Sequence, residues 1–174
     1  MSTLTEFDVI EEALEQEFEE LFRQNYQMAY RTAYGVTGSP HDAEDVVQTI
    51  FLRLVRREFP HDLRTNPKGY LYRAAVNESL NVIRSRKRLP IGGEVEELPS
   101  PPVADEIHRR LYEAVADLNP GAAHILILRY VHNYTDAEIA KLLGTSRGTI
   151  AVSLYRSRAR LRKLMGASSL GGQS

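Results

Sequence analysis

The sequence predicts an all-α protein made of two small helical domains joined by a proline-rich linker. Three observations lead there. Apolar residues recur at spacings of three and four along most of the chain, the period of helices that bury one face. That pattern breaks over 89–104, LPIGGEVEELPSPPVA, where four prolines, two adjacent glycines and three glutamates stand instead. Prolines stiffen such a segment and acids keep it extended, so the units on either side are expected to be separate and variable in relative orientation. Finally, residues 135–164 carry two short helical patterns around a tight turn, the second of them strongly basic.

In chain order, residues 6–22 place Phe7, Ile10, Leu14, Phe18 and Leu21 on one stripe with eight carboxylates around them, an acidic amphipathic helix. A second helix is expected over 25–36, packing Tyr26, Ala29, Tyr30, Ala33 and Tyr34 and stopping at Gly38. Ser39 then caps a third, with Pro40 in the first position and Asp42 in the first turn. Its buried stripe is Ala43, Val46, Val47, Ile50, Phe51 and Leu54. On the other face Asp45, Gln48, Thr49, Arg53 and Arg56 surround an apolar Leu52, which suggests a protein partner.

Residues 57–68 read as a loop ending at a new start, with Asn66 as cap and Pro67 first in the helix. That helix runs to Arg88. Leu71, Ala74, Ala75, Val82 and Ile83 supply its packed side, and Arg73, Asn77, Asn81, Arg84 and Arg88 form a cationic, amide-bearing stripe. Tyr70 and Tyr72 at its beginning offer aromatic planes beside positive charge, the combination that binds splayed single-stranded bases; tyrosines at this spacing also fill cores. The second unit opens near Asp105, with Ile107, Leu111, Val115 and Leu118 on one side of a helix. Asn119, Pro120 and Gly121 turn the chain into a strongly apolar helix over 122–131.

The helix-turn-helix is specified by local chemistry. Thr135 and Glu138 make a capping box, Gly144 supplies the stop, and Ser146 caps the next helix. Ile150, Leu154 and Leu161 face inward, leaving Arg147, Thr149, Ser153, Arg156 and Arg160 toward solvent. Six cations and no acid lie between Arg147 and Lys163 in a chain whose formal net charge is only -1. Charge is therefore segregated. An ordinary helical hairpin would need no such segregation, which favours DNA as the partner of this helix.

Composition excludes other classes. With no cysteine there are no disulfides, thiolate metal sites or cysteine nucleophiles, and a cytoplasmic protein is expected. No apolar run approaches the ~20 residues of a membrane helix, so no membrane insertion is expected. The five histidines lack metal-ligand spacing, and no phosphate loop or nucleophile elbow is present. The expectation is a protein that is not an enzyme, with no cofactor, no metal, no catalytic residue and no small-molecule substrate.

DAEDVVQTIFLRL at 42–54, KGYLYRAAVNESLNVIRSRKR at 68–88 and YTDAEIAKLLGTSRGTIAVSLYRSRARLRKL at 134–164, in this order around a linker, resemble the sigma-70 family of bacterial RNA polymerase sigma factors, in its extracytoplasmic-function group. The resemblance implies a region 2-like domain at 1–88, a linker at 89–104, a region 4-like domain at 105–166 and a disordered tail at 167–174. It implies that Asp42, Asp45, Gln48, Leu52 and Arg53 dock on the β′ clamp helices of core RNA polymerase. Arg73, Asn77, Asn81, Arg84 and Arg88 would meet the −10 element of promoter DNA, with the 58–67 loop helping to capture a flipped base. Arg147, Thr149, Ser153 and Arg156 would enter the −35 major groove while other surfaces of that domain touch the β flap. An anti-sigma factor is an implied partner. The rival readings are a stand-alone helix-turn-helix regulator and a sigma-mimicking interaction protein; neither needs both the 42–54 face and the basic stripe of 73–88.

Overall fold

The computed structural model describes the backbone of residues 6–56, 60–88 and 103–170, and among these the chain forms helices only. They are α1 (Glu6–Thr37), α2 (Pro40–Val55), α3 (His61–Thr65), α4 (Pro67–Arg88), α5 (Val103–Ala116), α6 (Pro120–Tyr130), α7 (Asp136–Leu143) and α8 (Arg147–Leu170). The predicted linker lies outside the described residues except for Val103 and Ala104, which already belong to α5.

The two helices expected over 6–36 are one. Neither glycine nor proline stands at the junction over 22–25, and local side-chain bonds carry the helix across it. Arg23 and Gln24 both bond the carboxylate of Glu20, and Asn25 Nδ2 donates to Leu21 O at 2.9 Å. The stop comes at Gly38, whose φ of +68° is left-handed and whose N–H bonds Tyr34 O. Ser39 Oγ then accepts from Asp42 N, and Pro40 opens α2 as expected. All six residues of the predicted α2 stripe are buried. The 57–68 segment contains the one-turn α3, which inserts Leu63 into the core; residues 57–59 lie outside the described residues. Asn66 Oδ1 accepts from Gly69 N at 3.0 Å and so caps α4.

The first cluster joins α1, α2 and α3 to one face of α4 through Ala29, Val46, Val47, Ile50, Phe51, Leu63, Leu71 and Ala75. A second stripe on α4, Tyr72, Val76, Leu80 and Ile83, belongs to the other cluster, with Tyr112, Val115, Ala123, Leu126 and Ile127. The two units therefore pack on opposite sides of α4, where the proline-rich segment had suggested units free to reorient. The same fact explains α6, in which every residue from Ala122 to Leu128 is buried. A short helix apolar all round is stable only when neighbours cover it on all sides, and α4, α7 and α8 do so.

The helix-turn-helix matches expectation closely. Both arms of the Thr135–Glu138 capping box are present, Gly144 is left-handed at φ 69°, and Ser146 Oγ accepts from Thr149 N at 3.1 Å. Ile150 and Leu154 are buried beneath α8. That helix continues to Leu170, past the predicted start of the tail, and 171–174 lie outside the described residues.

Two left-handed glycines should respond differently to alanine. A Cβ at Gly144 would meet nothing within 4 Å, so Gly144→Ala should cost only the backbone penalty, about 1–2 kcal/mol. At Gly38 a Cβ would also press on His108 Cε1 at 3.1 Å. Denaturant titration should therefore find Gly38→Ala the more destabilising of the two.

Candidate nucleic-acid interface

On α8, helical spacing that buries Ile150 and Leu154 turns Arg147, Thr149 and Arg156 outward and leaves Ser153 half-buried. Thr149, Ser153, Arg156 and Arg160 line one open groove with Val152, closed on its far side by Leu118, Asn119 and Ala122 at the α5–α6 turn. Arg147 stands outside that groove at the start of the helix. Thr149 also works in the cap, its hydroxyl 2.9 Å from Ser146 Oγ. Arg158 points elsewhere, donating from Nε to Tyr130 OH at 2.7 Å. Two exposed side chains were missed by sequence reasoning, Val152 at 50% and Tyr155 at 72%. The available signal was that both are large, partly apolar and off the 150/154/161 stripe.

The five residues singled out on α2 divide. Asp45, Gln48, Leu52 and Arg53 are exposed, Arg53 also donating to Glu78 Oε2 at 2.9 Å, while the half-buried Asp42 holds Arg86. These two bonds thus tie α2 to α4. Val55, three residues beyond Leu52, is 61% exposed against 52% for Leu52. Together they form an apolar spot that the sequence reading, which noted Leu52 alone, saw only in part.

The stripe on α4 is where sequence and structure diverge most. Asn77, Asn81 and Arg88 are exposed and Arg73 and Arg84 are half-buried, and the side chains of Asn77 and Arg84 each also bond the second unit. Asn77 Oδ1 lies 2.9 Å from His124 Nε2, so that ring nitrogen carries the proton in this contact. Arg84 donates from Nε and Nη2 to Ala116 O, at 3.2 and 2.9 Å, and from Nη1 to Asn81 Oδ1. Tyr72 is wholly buried and donates its hydroxyl to His124 O at 2.5 Å. Burial holds its phenol pKa well above the ordinary value, and no base can reach it. Tyr70 is half-buried against the first cluster.

Two histidines sit in this junction, each pushed down to a pKa of about 4. For His124 burial is the main cause and Arg73 of α4 the second; for His132 burial is followed by Arg31 of α1 and Lys68 of α4. His132 Nε2 also lies 2.7 Å from Thr32 Oγ1. Both rings are neutral at pH 7 in the packed form. Because their pKa values are depressed below 6.5, the unfolded or separated chain binds more protons between pH 6.5 and 4, and the packed form loses stability as pH falls through that window. Ring titration by NMR should show both histidines protonating well below pH 6, and chemical denaturation should show lower stability at pH 5 than at pH 7.5.

A basic helix-turn-helix packed on a second unit with its own cationic stripe defines a DNA-binding protein with two candidate contact regions. Comparison with known families makes this specific. The chain matches Sigma-70 region 2 over residues 21–89 and Sigma-70, region 4 over residues 108–161. It is 32% identical over 135 residues to RNA polymerase sigma-E factor of Streptomyces antibioticus, covering 74% of this chain and 73% of that protein. With ECF RNA polymerase sigma factor SigG of Mycobacterium tuberculosis it shares 28% identity over 160 residues, covering 74% of this chain but only 43% of that longer protein. The structure of CnrH in complex with the cytosolic domain of CnrY aligns over 88% of this chain and 90% of that chain, with 20% identity and a TM-score of 0.49. The chain belongs to the sigma-70 family of RNA polymerase sigma factors, in its extracytoplasmic-function group.

Proposed function

We propose that this chain binds core RNA polymerase and directs it to a specific set of promoters, helping to open the −10 region. The observation that carries the reading is the joint presence of both sigma regions, each on its own packed helices, with an acid-free basic helix at the second. Gln48, Leu52 and Asp45 supply the polymerase-facing surface, extended by Val55, while Asp42 and Arg53 hold α2 in register with α4. Arg73, Asn77, Asn81, Arg84 and Arg88 face the −10 strand. In the −35 groove Thr149, Ser153 and Arg156 act together, with Arg147 reaching the flanking phosphates. An anti-sigma factor is the natural antagonist. A stand-alone regulator is less favoured, since it has no use for an apolar pair exposed on α2.

Run-off transcription with purified core polymerase and genomic DNA tests the whole reading. Discrete start sites that depend on this protein are expected, and their absence would sink it. Leu52→Glu should weaken co-purification with core polymerase without lowering thermal stability, because Leu52 is exposed. Arg156→Ala should lower initiation from mapped promoters about tenfold, the effect of losing roughly 1–3 kcal/mol of base discrimination, while core association is unchanged.

A further inference from the structure

A cleft of about 600 Å³ lies between α1, α2, the start of α4 and the α6–α7 connection. α1 changes character along its length to build it. Eight carboxylates stand from Glu6 to Glu20, whereas Leu21 to Thr37 contain no acid, two arginines and three tyrosines. Those tyrosines recur every fourth residue, which brings them onto one face of the helix. Tyr26 and Tyr30 stack with ring centroids 6.1 Å apart at an interplanar angle of 18°, and Tyr30 and Tyr34 stack at 6.3 Å and 2°. Tyr26 and Tyr30 line the cleft together with Tyr134 of the second unit.

Two cations share the same space. Arg31 of α1 and Lys68 of α4 are exposed and line the cleft, and among the described residues neither makes an ion pair. Arg31 reaches Val131 O at a long 3.4 Å, and Lys68 Nζ lies 5.6 Å from the centre of the Tyr134 ring. After burial, Arg31 and Lys68 are the two causes of the lowered His132 pKa, so both charges stand near that one ring.

Uncompensated cations beside stacked phenol rings complement a ligand that joins a flat base to phosphates. Ring faces take the base, and the cations take the phosphate oxygens. Glu44 is the one carboxylate on the lining, an acceptor suited to the amino group of such a base. The volume falls within the range of clefts that enclose small ligands. A longer strand is disfavoured, because α1 turns acidic at Glu20, six residues before Tyr26, and repels a phosphate chain that continues in that direction.

We propose that this cleft binds a purine nucleoside di- or triphosphate, with the base on Tyr26 and Tyr30 and the phosphates held by Arg31 and Lys68. The ligand touches the first unit and the α6–α7 connection of the second, so it stabilises the folded chain by mass action.

The test uses the free, full-length chain and does not depend on the promoter reading. ATP without divalent cations is titrated into the protein by calorimetry at low salt, in parallel with tripolyphosphate and a short random-sequence single-stranded DNA. One ATP site is expected, with weaker binding of tripolyphosphate and of the strand. Arg31→Ala and Lys68→Ala should each lower ATP affinity about tenfold, the effect of losing one charge-assisted contact. Tyr30→Leu keeps an apolar side chain against the first cluster but removes the ring, so it should weaken ATP and leave tripolyphosphate unchanged. ATP should raise the melting temperature of the wild type and not that of the Arg31→Ala/Lys68→Ala double variant.

No binding of ATP, binding that survives in the double variant, or tripolyphosphate bound as tightly as ATP would each overturn the proposal. So would a single strand that binds more tightly than ATP and displaces it. If Tyr30→Leu melts well below the wild type, Tyr134→Leu removes the ring contributed by the second unit and is held to the same two titrations.

Discussion

The two-sided burial of α4 is the constraint on which the rest of the molecule depends. Leu71 and Ala75 close the first core, and Tyr72, Val76, Leu80 and Ile83, a little further round the same helix, close the second. Each large side chain on that second stripe contributes roughly 1.5–3 kcal/mol by leaving water, more than any of the exposed ion pairs between the units. Lys87–Asp117, half-exposed at 3.0 Å, is a minor addition by comparison. Hydrophobic burial thus holds the halves together, and the hydrogen bonds at the helix ends set their register.

This arrangement has consequences for how DNA is met. The groove on α8 remains open in the packed form, because all of its lining belongs to the second unit, from Gly148 to Arg160 of α8 and the α5–α6 turn. The α4 stripe is treated differently. Asn77, Asn81 and Arg88 stay exposed, Asn77 with its Oδ1 held by His124, while Arg84 spends its donors on Ala116 O and Asn81 Oδ1. Whatever separates the units must replace the apolar cover of Tyr72 and its neighbours as well as those hydrogen bonds.

Much of the helical pattern was legible in residue order because it rests on contacts no more than four residues apart. The Ser39–Pro40 start, the α2 stripe, the Thr135–Glu138 box, the Gly144 stop and the outward set on α8 are all of this kind. The join of the first two predicted helices was misjudged, although its cause is equally local: Glu20 gathers Arg23 and Gln24 across residues whose periodicity shifts phase. At the end of α8 the run of glycine and serine suggested fraying, yet the helix runs to Leu170.

Which face of a helix meets a distant element is a different matter, since no local rule reports it. Tyr72 and Tyr70 stand two residues apart with the same chemistry, and only the position of α6 sends one into the core with its hydroxyl on His124 O. The α4 stripe presented a row of donors, but whether a donor faces solvent, a strand of DNA or the carbonyl end of another helix depends on packing about α4. Residue order specified the helices, their caps and the charged and apolar faces they present. The tertiary structure alone decided that the two units close on each other, because that contact joins groups about 30 to 100 residues apart through glycines whose value is visible only when the neighbour is in place.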